Sequence, residues 1–164
     1  MIYDSLIMSK AVRSIMGFDF VFCAALLLQC TTGKRDQIER NFERYMLNVF
    51  NKSCKTHTTK VNYYVINTNE CEECVDAHFR AIGFHQFDKS TVIIIVGKIY
   101  KTEWVETIDM VAKKGVVVLK DEKGEGMRYN FGLMKPILLK FENGKLKDFI
   151  KIEDKEILSI ITRL

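Results

Sequence analysis

The chain has 164 residues, 48% hydrophobic and 28% charged, with a single proline, which excludes a disordered segment and a disulfide-dense miniprotein. That length suits one globular domain with a short additional segment. Lys plus Arg exceed Asp plus Glu by only 25 to 21, with no basic block, so the electrostatic footprint of a nucleic-acid binder is missing and no nucleic-acid partner is expected.

In chain order, Lys10 and Arg13 precede an apolar stretch from Ile15 to Leu28, interrupted by Asp19 and closed by Leu27-Leu28-Gln29-Cys30. The stretch is about 14 residues, short of the roughly 20 that a membrane-spanning helix needs, and basic-then-apolar-then-cysteine is the order of a signal segment. Met8 offers an alternative start that would bring Lys10 and Arg13 close to the N-terminus. Leu-Leu-Gln-Cys resembles the bacterial lipobox, with Gln29 where Gly, Ala or Ser is usual. The resemblance implies that residues 1–30 are a lipoprotein-type signal peptide or N-terminal anchor and that Cys30 is lipidated. Residues 31–164 would then form a domain facing the periplasm, tied to a membrane of the bacterial cell envelope by a lipid. A secreted protein and a cytosolic protein with a buried N-terminal helix are the alternatives.

Beyond that segment, Ile38, Phe42, Tyr45, Met46, Val49 and Phe50 recur at helical spacing, which predicts an amphipathic helix over 33–50. A polar loop over 51–60 follows, then a strand over 60–67, rich in β-branched and aromatic residues and stopped by Asn67-Thr68-Asn69. Cys71-Glu72-Glu73-Cys74 comes next and leads into a short helix with Val75, Phe79 and Ile82 on one face, stopped near Gly83. The unbroken apolar run 91–96 predicts a strand covered on both faces. Trp104, Val105, Ile108, Val111 and Ala112 mark a helix over 101–114, and 116–119 a short strand. Residues 121–135 read as an insertion with one small hairpin. Pro136 opens a β-hairpin whose strands, 137–141 and 146–152, flank the tight turn Asn143-Gly144. A last helix, capped by Asp154, carries Ile157, Leu158, Ile161 and Leu164 as its apolar stripe. Alternating strands and helices imply an α/β domain with a central mixed sheet.

The succession strand, CxxC, helix, strand, helix, Pro-strand, hairpin, helix resembles the thioredoxin-like superfamily over residues 34–164, in particular its membrane-tethered bacterial thiol-disulfide oxidoreductases. The carrying residues are Cys71 and Cys74 and, some 60 residues on, the stretch from Lys135-Pro136 through Asn143-Gly144. No Trp precedes Cys71, no Gly-Pro separates the cysteines, and Val65 and Ile66 stand where a familiar thioredoxin has a buried acid. The resemblance implies a thioredoxin-like fold, a cis peptide bond before Pro136, and Pro136 lying against the cysteines beside a client's extended strand. It also implies protein thiols or disulfides as substrates, a membrane or periplasmic electron donor, and no cofactor.

At a helix N-terminus, free N–H groups lower a cysteine's pKa, which makes Cys71 the nucleophile and Cys74, one turn deeper, the resolving thiol. Glu70, Glu72 and Glu73 oppose a thiolate there and bias the couple towards the reducing side. Two further readings stand beside exchange: an inert staple in a noncatalytic binding module, and a Cys3His zinc site built from Cys54, His57, Cys71 and Cys74. His78 and His85 read as surface or helix-face residues. Cys54 is the odd thiol, to be buried, free or paired between molecules.

Overall fold

The computed structural model describes residues 33–56, 59–153 and 156–161; the lipobox and Asp154 lie outside them. The whole of the sheet belongs to the compact unit 37–164. Helix α1 occupies 33–50, as the apolar spacing requires. After a single 3-10 turn at Cys54–Thr56 come β1 (Val61–Asn67), α2 (Glu72–Phe84), β2 (Thr91–Val96), α3 (Thr102–Lys113) and β3 (Val117–Asp121). A 3-10 turn at Glu125–Tyr129 precedes β4 (Ile137–Glu142), β5 (Lys145–Lys151) and the short α4 (Ile157–Ile161).

The strands form one mixed sheet in the order β3-β2-β1-β4-β5. β1 pairs parallel with β2 and β2 with β3, while β4 runs antiparallel to both β1 and β5. Each parallel pair is joined through one helix, and right-handed crossovers in the same direction put α2 and α3 on the same face. Alternation then divides the core: Tyr64, Ile66, Ile93 and Ile95 pack with α2, α3 and α4, whereas Tyr63, Val65, Ile94 and Val96 pack with α1 and with Phe131 and Leu133 of the 122–136 segment. The unbroken apolar run of β2 is explained, because both of its faces are covered. This strand order, with the CxxC between β1 and α2, is a thioredoxin-like fold: a five-stranded mixed sheet flanked by helices.

Three expectations need correction. The 122–136 segment holds a 3-10 turn rather than a hairpin, because Asp121 caps that turn, accepting from the Glu125 and Gly126 N–H groups at 3.0 and 2.7 Å. Helix α2 ends at Phe84, one residue past Gly83, where the sequence places its stop. Leu158 is exposed and the buried stripe of α4 is Ile157 and Ile160, while Val105 and Ala112 lie outside the core that Trp104, Ile108 and Val111 join. Finally, no peptide bond among the described residues is cis, so Lys135–Pro136 is trans. Trans is the favoured isomer before proline by about 0.5–1 kcal/mol, and Pro136 runs straight into β4, its carbonyl accepting from Ile152 N–H at 2.8 Å. The cis bond that the thioredoxin resemblance implies is absent, and the fold class stands on the five-stranded mixed sheet and its flanking helices.

Candidate active site

The cysteines sit where the chain turns from sheet to helix. β1 stops because Asn67, Thr68 and Asn69 spend their polar groups on the turn: Asn69 N–H donates to Asn67 Oδ1 at 3.0 Å, the Thr68 hydroxyl to Val96 O at 3.2 Å, and Asn67 Nδ2 to Leu133 O at 3.1 Å. Gly97, at φ +107°, lets this turn close over the end of β2; a Cβ there would meet Asn69 Nδ2 at 2.9 Å.

Cys71 is the N-cap of α2, and its Sγ accepts from Cys74 N–H at 3.2 Å, the place of a capping oxygen. Cys71 and Cys74 form a disulfide across a Cα separation of 5.3 Å. Cys71 is exposed and Cys74 half-buried, so the two sulfurs differ in access in the sense that helix position implies. The register Val65↔Ile137 sets Pro136 alongside Ile66 at the end of β1 from which the chain leaves for Cys71.

The acidic motif departs from the expectation of three uncompensated carboxylates. Glu72 Oε1 lies 2.6 Å from Lys101 Nζ, and the same ammonium contacts both oxygens of Asp76, at 2.9 and 2.7 Å. Asp76 Oδ1 also accepts from Trp104 Nε1 at 2.7 Å. Hydrogen bonding to Lys101 holds the Asp76 carboxyl below its usual range, and hydrogen bonding to Asp76 and Glu72 raises the ammonium's pKa, so Asp76 and Lys101 stay charged across neutral pH. Trp104 stacks on Phe79 at 4.9 Å and carries Lys101 over its ring at 5.2 Å. Asp76, Lys101 and Trp104 line a cleft of about 280 Å³ between α2 and α3. Clefts of about 490 and 480 Å³ lie on other surfaces and include no cysteine.

His78 is a second correction: it is fully buried, hydrogen-bonded through Nδ1 to the Tyr64 hydroxyl of β1. Its position three residues after Val75 and four before Ile82 is the sequence signal that would have placed it on the inner face of α2. Burial pushes the Tyr64 hydroxyl pKa upward. Lys101 and Asp76 carry no sequence signal of their own, because no local pattern links a loop lysine to an acid 25 residues earlier.

Of the zinc alternative's residues, Cys54 stands apart from the cysteine pair, which is joined as a disulfide. Cys54 packs in the core cluster with Val61 and Tyr63 of β1, and among the described residues no three His, Cys, Asp or Glu side chains gather as metal ligands. His57 lies outside the described residues. Cys54 is a free, buried thiol whose pKa desolvation pushes up to about 12, with its N–H donating to the Glu43 carboxylate at 2.8 Å.

No family model matches the chain, and no curated protein matches it. Among solved structures it is similar to a secreted Mycobacterium tuberculosis disulfide oxidoreductase homologous to E. coli DsbE, at 13% identity and a TM-score of 0.41, over 66% of this chain and 84% of that one.

Proposed function

We propose that the chain carries out thiol-disulfide exchange with protein substrates through Cys71 and Cys74, as an electron donor. The observation that supports this best is the asymmetry of the pair: an exposed sulfur at the helix N-cap, in reach of a backbone N–H, bonded to a less accessible sulfur one turn on. In the reduced form, that N–H and the free N–H groups of the first turn favour a thiolate on Cys71. The thiolate attacks one sulfur of a client disulfide, whose second sulfur leaves as a thiolate. Cys74, deprotonated, then attacks Cys71 Sγ, forming the Cys71–Cys74 bond and breaking the mixed disulfide. The client gains two electrons, and the two dithiol protons reach its thiols through water. A thiol-class donor in the periplasm or membrane must then reduce the pair.

Glu70 and Glu73 supply the reducing bias, with Glu72 sharing its charge with Lys101. Pro136 flanks the site at the end of β1 and would border a client's extended segment. Residues 1–30 act as the lipoprotein-type anchor, with Cys30 lipidated, which places the 31–164 domain at the periplasmic face of a bacterial membrane. The Leu27–Cys30 sequence supports this, and among the described residues no helix is long and apolar enough to cross a membrane. Cys30→Ser should release the protein from the membrane fraction; recovery of an unlipidated, uncleaved N-terminus from the parent would overturn the anchor.

Trapping tests the exchange. Cys74→Ser should accumulate a mixed disulfide between Cys71 and a client, because the thiol that releases it is gone; Cys71→Ser should trap nothing and lose insulin reduction. If neither variant captures a client from a periplasmic extract, the pair is an inert staple and the chain a binding module.

A further inference from the structure

Lys101 bridges two elements that the sequence keeps far apart. It is the N-cap of α3, yet its ammonium lies 2.6 Å from Glu72 at the first residue of α2 and 2.7 Å from Asp76 one turn on. Its side chain is 22% exposed, and the indole of Trp104 fixes Asp76 from the other side. Cys71 is the residue immediately before Glu72. Glu70, Glu72, Glu73 and Asp76 thus place four carboxylates in one short stretch of chain around the cysteines. Lys101 forms ion pairs with two of these, Glu72 and Asp76.

We propose that Lys101 is a positioning residue for thiol-disulfide exchange: it offsets the carboxylates at the start of α2 and so sets how much Cys71 thiolate forms when the pair is reduced. This rests on the exchange reading. It assigns the tuning of the couple to a residue of the β2–α3 loop, outside the CxxC itself. Opposite charge near a thiolate favours it, like charge opposes it, and both act through space within a few ångströms. With Lys101 removed, Glu72 and Asp76 lose the ammonium that pairs with both of them at the start of α2. The thiolate is then disfavoured, the reduced pair destabilised relative to the disulfide, and the couple moves further to the reducing side.

The test is the pH profile of iodoacetamide alkylation at Cys71, read by peptide mass spectrometry in the full chain carrying Cys74→Ser. Adding Lys101→Met should raise the apparent pKa of Cys71 by about one unit, the lower end of what one neighbouring charge does. Thiolate at neutral pH then falls about tenfold; the more basic thiolate is intrinsically about threefold more nucleophilic, so alkylation slows only about threefold. Lys101→Arg should restore the parent profile. The shift should shrink at about 1 M salt, where the screening length is about 3 Å, which a merely structural tether would not do. Asp76→Asn, which removes one acid and leaves Lys101 on Glu72, should move the pKa the opposite way and guards against misfolding of the Lys101 variant. An unchanged pKa in Lys101→Met, or a shift indifferent to salt and not rescued by arginine, overturns the proposal. Client trapping by Cys74→Ser decides the exchange reading separately, since it asks for capture and not for a pKa.

Discussion

Single side chains already divide exposed from buried sulfur in this protein. Cys71 is exposed at a helix start, whereas Cys54 is fully buried, with a thiol pKa pushed up by desolvation to about 12. A negligible thiolate fraction and no access mean that Cys54 should be labelled by Ellman's reagent only when the fold opens. Labelling at Cys54 should therefore follow the global unfolding free energy as urea is raised; rapid labelling in native buffer would contradict the burial. His85 gives a second test. Its pKa is lowered from 6.5 by desolvation, and its Nε2 has no hydrogen-bond partner among the described residues. The folded chain binds this proton less readily than the unfolded one, so the stability contributed by neutral His85 is complete above pH 6.5 and is lost as pH falls through 6.5 towards the folded pKa. Chemical denaturation at pH 7.5 and 5.5 should show His85→Asn losing less stability than the parent over that interval; equal losses would mean that His85 is solvated.

At the scale of elements, the junctions carry the polar accounting. Asp121 ends β3 and satisfies three donors at once: the Tyr45 hydroxyl at 3.2 Å and the Glu125 and Gly126 N–H groups. It joins α1, the edge strand and the 3-10 turn. Asp121→Ala should cost about 3 kcal/mol or more, since each buried donor left unmade costs about 1–3 kcal/mol. The urea midpoint should fall with an unchanged m-value; a loss below about 1 kcal/mol would show that water replaces the carboxylate. The β4–β5 turn works differently. Asn143 and Gly144 both take positive φ, at 52° and 71°, as a two-residue hairpin demands, and that need is written in the Asn-Gly dipeptide itself.

At the scale of the molecule, two apolar clusters share one sheet. Phe42 of α1 is fully buried on one face, in contact with the rings of Tyr63, Phe131 and Phe141, while Trp104, the single tryptophan, is buried on the other. If the sheet couples the faces, Phe42→Ala should destabilise by about 3–5 kcal/mol and lower the midpoint seen by Trp104 fluorescence as far as that seen by far-UV circular dichroism. Separate midpoints would show that the two cores melt independently.

What the sequence determined by itself was everything that depends on near neighbours. Helical spacing in 33–50, the two-sided apolar run of β2, the Asn143-Gly144 turn and the sheet-to-helix position of Cys71-x-x-Cys74 all follow from propensity, periodicity and turn chemistry, which act over a few residues. Tertiary structure decided what depends on residues distant in the chain. Lys101 finds Glu72 and Asp76 only because α2 and α3 lie on the same face; His78, already on the apolar side of α2 by spacing, gains its Tyr64 partner only from the sheet; Cys54 is buried only because α1 and β1 pack over it. The cis bond implied by the resemblance is absent at Pro136, where the chain keeps the trans form that local preference favours by about 0.5–1 kcal/mol.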